Sequence, residues 1–288
     1  MASNSQRPSK AERTASAREQ AQQMRVAQEA ADKRKSLLIK LGVVVAVLAV
    51  VALIIGIVLQ NNSGKVADSG AVPKGGNEAG GITLTSDTTV ADTSGLTVDI
   101  NKVGTAPAQA AEPAPRDSKA AAKGEPINLL IYVDVNCPHC STFEAEYADQ
   151  ISTWLAAGDV KVEYRNVAYL DSGSPTNFSS RGANALACVA DAAPASYLPF
   201  SKALFAQAAE GELNNAALAS LAKDNGADVE SCINDGTFRS FVKFTDEASR
   251  VDSIGGTPSV FVQNELWDPN AEPDLVGVVN AAIKANKS

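Results

Sequence analysis

Histidine occurs once in the 288 residues and cysteine four times. A structural zinc site needs four ligands, commonly supplied as two Cys-x-x-Cys or His pairs. Here only Cys137 and Cys140 lie close together, while Cys188 and Cys232 stand 44 positions apart. No metal centre and no cofactor are therefore expected. Charge is missing as well: residues 41–59 contain no Asp, Glu, Lys or Arg. Such a run is just long enough to cross a hydrocarbon core of about 30 Å as a helix. No A-x-A pattern comes directly after it, and no cysteine stands near its end to take a lipid. The run therefore reads as an uncleaved anchor over residues 41–60, with a cleaved signal as the alternative.

Around that run the charge is lopsided. Residues 1–40 form a basic tail, and Lys33-Arg34-Lys35 with Lys40 places it in the cytosol by the positive-inside rule. The expected location is thus the cell membrane, crossed once, with the chain beyond Gln60 outside the cytosol. Glu12, Glu19, Glu29 and Asp32 interrupt the tail, and it has no apolar stripe at helical spacing. It reads as a topology signal and solvated helix rather than a nucleic-acid arm.

Residues 61–125 are rich in Gly, Ala, Ser, Thr and Pro and read as a linker. Within it, Ile82-Thr83-Leu84-Thr85 and Leu96-Thr97-Val98-Asp99-Ile100 alternate as strands do, either as a small hairpin or as an outer strand of the next domain. That folded domain is expected over 126–288. A buried strand at 128–135 leads to a helix running to about 157, then to an alternating strand at 160–167. A helical block covers about 180–250, broken near Pro194, Gly211 and Gly226. A third strand at 259–262, its partner at 265–267 and a closing helix at 274–286 complete an α/β layout.

The chemistry centres on Cys137-Pro138-His139-Cys140, set between the first strand and the first helix. A thiolate is the nucleophile in disulfide exchange, and a Cys at a helix N-terminus is held closer to that form. A disulfide across two intervening residues constrains little of the unfolded chain, so a redox role is favoured over a structural one. Cys137, at the helix start, is expected to be the nucleophile. His139 adds positive charge beside it when protonated, and Cys140 resolves mixed disulfides. Thr257-Pro258 opens the third strand, where proline is tolerated. Cys188 and Cys232 fall in the helical block, where a structural bridge is expected, a second redox pair being the alternative.

Taken together, Cys137-Pro138-His139-Cys140 after a strand, Thr257-Pro258 before another and a helical block between them resemble the DsbA-like thiol–disulfide oxidoreductases. The stretches Glu163-Tyr164-Arg165, Ala183-Asn184-Ala185-Leu186-Ala187-Cys188 and Gly256-Thr257-Pro258-Ser259 are similar to their membrane-anchored actinobacterial branch. The resemblance covers residues 126–288. It implies a thioredoxin-like fold with an inserted helical subdomain, and a cis Pro258 that lies against the active-site disulfide. It also implies that Thr257 and Pro258 hold an extended substrate. Relatives often place a buried acid six positions before the nucleophile. Ile131 stands there, and Asp134 falls on the other face of the strand.

The function expected on these grounds is disulfide formation in unfolded exported proteins. The resemblance implies reoxidation by a quinone-linked membrane partner of the DsbB or vitamin K epoxide reductase-like kind. A thiol reductase or isomerase with the same site, or a non-catalytic peptide-binding adaptor, are the alternatives.

Overall fold

The computed structural model describes residues 66–107 and 111–288. The basic tail and the expected anchor lie outside the described residues, among which no helix is long and apolar enough to cross a membrane. Three short strands come first: β1 (Ser69–Ala71), β2 (Ile82–Leu84) and β3 (Thr97–Asp99). They fall in the stretch expected to be a linker, much of which is folded. Ile82 and Leu84 are fully buried, and Val98 nearly so. The two alternating segments do not form a hairpin with each other. β2 joins the main sheet, whereas β3 pairs antiparallel with β1 in a separate two-stranded sheet. The outer-strand alternative thus holds for β2, while β1, three residues without an apolar alternation, does not stand out from its Gly- and Ser-rich background.

The centre of the main sheet is β4 (Ile127–Asp134), whose Ile131, Tyr132 and Val133 are wholly inaccessible. A strand covered on both faces reads as a continuous apolar run, as Leu129 to Val133 does. Its chain continues into α1 (Pro138–Ala156), with Pro138 at the first helical position, where a missing N–H loses nothing. Gly158, at φ +70°, ends the helix in a left-handed turn that leads straight into β5 (Val160–Val167). β4 and β5 run parallel, as a strand–helix–strand crossover requires.

The helical block comes next as α2 (Phe178–Ala192), α3 (Tyr197–Ala208), α4 (Asn215–Asp224), α5 (Glu230–Asp235) and α6 (Arg239–Val251). Breaks fall at Pro194, Gly211 and Gly226 as expected. A further break falls at Gly236, φ +62°. The chain returns to the sheet through β6 (Ser259–Val262) and β7 (Glu265–Leu266), then closes with α7 (Leu275–Lys287). Strand order is β2-β5-β4-β6-β7, antiparallel except for β4 and β5.

One buried core joins β4, α1 and the helical block, and it includes Ile131, Cys140, Phe143, Leu186 and Cys188. Gly182 lets α2 lie directly on the end of β4, since a Cβ there would come within 2.7 Å of the Val135 side chain. The block therefore sits over the strand end that carries the active-site loop. Cys188 of α2 and Cys232 of α5 are disulfide-bonded, with Cα atoms 5.9 Å apart. Closing a loop of 44 positions restricts the unfolded chain by about 4 kcal/mol at most. Urea unfolding of the double variant Cys188→Ala, Cys232→Ala should show a loss of about 2–4 kcal/mol. Unchanged stability would remove the pair's structural role.

Candidate active site

Cys137 occupies the N-cap position of α1, with extended backbone angles (φ −86°, ψ 119°). Its carbonyl accepts from the N–H groups of Cys140 (3.0 Å) and Ser141 (3.1 Å), and its own N–H donates to the Asp134 carbonyl (3.0 Å). The turn that brings the two thiols together is thus fixed by backbone bonds on both sides. Both are free thiols. Cys137 keeps 7% of its surface accessible and Cys140 none. Cys137 is less open than a helix start suggests, because the loop before β6 closes over it. Its thiol donates to the Thr257 carbonyl at 3.4 Å, and Thr257-Pro258 is a cis peptide.

The two sulfurs have opposite acid strengths. The Cys137 thiol is lowered from its ordinary value to about 5. The largest cause is a hydrogen bond from the Cys140 thiol. Burial works against it, and the Thr257 side chain and the backbone amides of Cys140 and His139 help. Cys140 is pushed far above the usual thiol range, first by that same bond to Cys137 and then by burial. His139 thus acts on Cys137 through its backbone N–H; its exposed ring lines a groove instead.

That groove, about 460 Å³, runs along α1 beside the reactive thiol. His139, Phe143, Tyr147, Thr257, Pro258 and Trp267 contribute to it. Tyr147 packs at a tilt against Phe143 (ring centroids 5.0 Å apart) and meets Trp267 edge-on at 6.3 Å. The Trp267 indole is held by donation to the Glu272 carbonyl at 2.6 Å. An apolar wall beside the Thr257-Pro258 backbone suits an extended peptide.

Asp134 is fully buried, but its carboxylate is already occupied. It accepts from the N–H groups of Asn136 (2.9 Å) and Leu170 (3.0 Å), and so pins the loops on either side of the strand ends. Ile131 lies in the main core with no acid in its place. The acid that sequence reasoning missed is Glu144. It stands one helical turn beyond Cys140, a spacing that puts the two Cβ atoms about 5–6 Å apart on one face. Glu144 is 2% exposed, and burial raises its carboxyl to about 7. It faces the Tyr164 phenol, yet neither Glu144 Oε1 nor Tyr164 OH has a hydrogen-bond partner of ordinary geometry. The i, i+4 relation to Cys140 was the signal that could have found it.

The chain is similar to known proteins over part of its length. The family described as thioredoxin (Thioredoxin_4) matches residues 122–281, in agreement with the thioredoxin-like fold read from the motifs. The serine/threonine-protein kinase PknE of Mycobacterium tuberculosis is 34% identical over 121 residues, which cover 38% of this chain and 21% of the kinase. The chain thus spans about a fifth of the length of the curated relatives it matches. Among solved structures, oxidised DsbA of Mtb is 29% identical, covering 58% of this chain and 90% of that one, with a TM-score of 0.48. MdbA, a thiol-disulfide oxidoreductase from Actinomyces oris, is 26% identical over 54% of this chain and 80% of its own, with a TM-score of 0.48.

Proposed function

The chain belongs to the thioredoxin family, and on that premise we propose that it is a DsbA-like thiol–disulfide oxidoreductase that forms disulfides in unfolded exported proteins. The observation that carries the direction is the acid strength of Cys137. A thiol lowered to about 5 is a thiolate at neutral pH, which stabilises the reduced enzyme and makes its disulfide an oxidant.

Catalysis begins with the Cys137–Cys140 disulfide. A substrate thiolate attacks Cys137 Sγ, the more accessible sulfur, and the enzyme S–S bond breaks as the substrate–Cys137 bond forms. Cys140 leaves with the electron pair. Because its acid strength is so low, it must take up a proton at once. Glu144, buried one helical turn along α1 and half-protonated near pH 7, supplies that proton. A second substrate thiolate then attacks the substrate sulfur of the mixed disulfide, and Cys137 departs as its stabilised thiolate. Two substrate thiols have become one disulfide, and the enzyme carries the two electrons as a thiolate and a thiol. During the exchange the groove beside Thr257 and Pro258 holds the substrate chain extended.

The remaining parts of this reading come from sequence and resemblance. The uncharged run at 41–59 and the basic tail support a single-pass anchor that leaves the active site outside the cytosol. Outside the cytosol disulfides persist, and resemblance supplies a quinone-linked membrane protein as reoxidant. A redox titration against glutathione tests the direction. The potential should lie well above the roughly −270 mV of thioredoxin and toward the −120 mV of strong oxidants. A value at the thioredoxin end would make the protein a reductase.

A further inference from the structure

Thr257 faces Cys137 from a loop held from within by one side-chain bond, from the Ser259 hydroxyl to the Gly256 carbonyl (2.7 Å). Gly255 and Gly256 precede it, and a Cβ on either would meet nothing within 4 Å. The position of the Thr257 carbonyl therefore depends largely on what anchors the chain on either side of the two glycines. After them, β6 is bonded to β4, with Ser259 registered opposite Tyr132. Before them, the chain is fixed at Asp252 and Ile254. The Ile254 N–H donates to the Ser249 carbonyl (2.9 Å), and its own carbonyl accepts from the Tyr169 hydroxyl (3.0 Å).

Asp252 is the stronger anchor, and the hydrogen bonds to its carboxylate come from Arg116, outside the region matched by the thioredoxin family. Arg116 Nε donates to both carboxylate oxygens, at 2.9 and 3.1 Å, and the Arg116 backbone N–H donates to Oδ2 at 2.8 Å. The Asp252 carbonyl in turn accepts from the N–H of Ala114 (2.9 Å). The remaining Arg116 nitrogens donate to the carbonyls of Val103 (3.4 Å) and Ala248 (3.2 Å). Beneath this pair the buried Arg165 donates to the Arg116 carbonyl and to the Tyr132 hydroxyl, both at 2.8 Å. Its guanidinium also stands 3.7 Å from Asp252. One carboxylate, 6% exposed, is thus held between two guanidinium groups. The same segment reaches the far end of β6, where the Gln263 side chain accepts from the N–H groups of Ala121 (3.0 Å) and Asn128 (2.9 Å).

We propose that residues 114–121 are a strap that positions the cis-proline strand, with Arg116 as the positioning residue that fixes Thr257 and Pro258 opposite Cys137 by locking Asp252. The strap makes no contact with the reacting sulfurs. It bears on the thiol–disulfide activity proposed above, and so rests on that reading for its kinetic consequence. Releasing Arg116 keeps the Cys140–Cys137 hydrogen bond, the largest cause of the low acid value at Cys137, and disturbs only the smaller contribution of Thr257, but it lets the two-glycine loop wander, which loosens the binding platform for substrate.

The test uses the whole chain with Arg116→Ala, and Arg116→Lys as a second variant that keeps a charge opposite Asp252 while losing the forked contacts. Hydrogen exchange is read over residues 253–262 and, as a control, over α1. In Arg116→Ala, exchange at 253–262 should rise about tenfold with α1 unchanged. KM for a reduced peptide should rise at least about fivefold, while kcat stays within about twofold. Arg116→Lys should fall between, and it decides the question alone if Arg116→Ala does not fold. Unchanged exchange at 253–262, or an equal rise across the domain, overturns the strap as a positioning element. So does a fall in kcat at constant KM. A wild-type chain without oxidase turnover would sink the proposed function, yet the exchange comparison would still decide the strap.

Discussion

Replacing Cys137 with alanine is expected to reduce oxidation of an unfolded, reduced substrate to the background rate of uncatalysed exchange, and replacing Cys140 to stop the cycle midway. The two losses differ in kind. Without Cys137 there is no accessible sulfur to attack, because Cys140 is wholly buried. Without Cys140 the reactive thiol remains and can still be driven into a mixed disulfide, but nothing inside the protein resolves it. Cys140→Ala should therefore accumulate as a covalent adduct with a substrate thiol, visible as a mass increase that dithiothreitol reverses. It should also change the acid strength of what is left. Alkylation of Cys137 in the wild type should show a midpoint near pH 5. The largest cause of that low value is the hydrogen bond from Cys140, so its removal should move the midpoint upward. A midpoint that stays in place would mean that the amides of the helix start alone hold the thiolate. Full oxidase activity in Cys137→Ala would return the chain to a peptide-binding role without catalysis.

How far such a site can be read before folding depends on the distance over which its parts are coupled. Cys137, Pro138, His139 and Cys140 are contiguous, and the strand and helix flanking them are long enough to show their periods. Pro258 became meaningful through its place before β6, which a four-residue apolar run announces. Glu144 is within reach, since its spacing from Cys140 is local, but the acid expected at position 131 lies on the strand rather than on the helix. The Arg116–Asp252 pair is of another kind. Its partners are 136 positions apart, and Arg116 sits in a segment whose composition reads as a linker. Nothing in the local pattern of either residue predicts the contact. β2 lies between these cases: its alternation shows in the sequence, whereas its choice of β5 as partner over a hairpin with β3 is decided by the fold.

Glu144→Gln is expected to make the protein more stable at pH 8 and slower as an oxidant, a combination that separates its proton from its packing. The carboxyl ionises at about 7 in the folded chain against an ordinary 4.5. Between those values the folded state holds more protons than the unfolded state, so stability is full below about pH 4.5 and declines as pH rises through 7. At about 1.4 kcal/mol per pH unit, the penalty at pH 8 is on the order of 3 kcal/mol. Glutamine carries no charge to desolvate, so the variant should lose this decline and be the more stable form in alkaline solution. The kinetic effect runs the other way. Glutamine fills the same space beside Tyr164 but holds no transferable proton, so expulsion of Cys140 should slow by about 10²-fold in a single turnover. Corrected for the thiolate fraction of the substrate, the wild-type rate should fall above about pH 7 as Glu144 ionises, and the variant should show no such fall. If the variant gains stability at pH 8 but turns over at the wild-type rate, Glu144 is only a buried acid and the proton on Cys140 comes from solvent. If neither changes, the carboxyl is not desolvated as its burial requires. A slower variant with a flat profile places the missing acid of this site on the helix, one turn below the sulfur it serves.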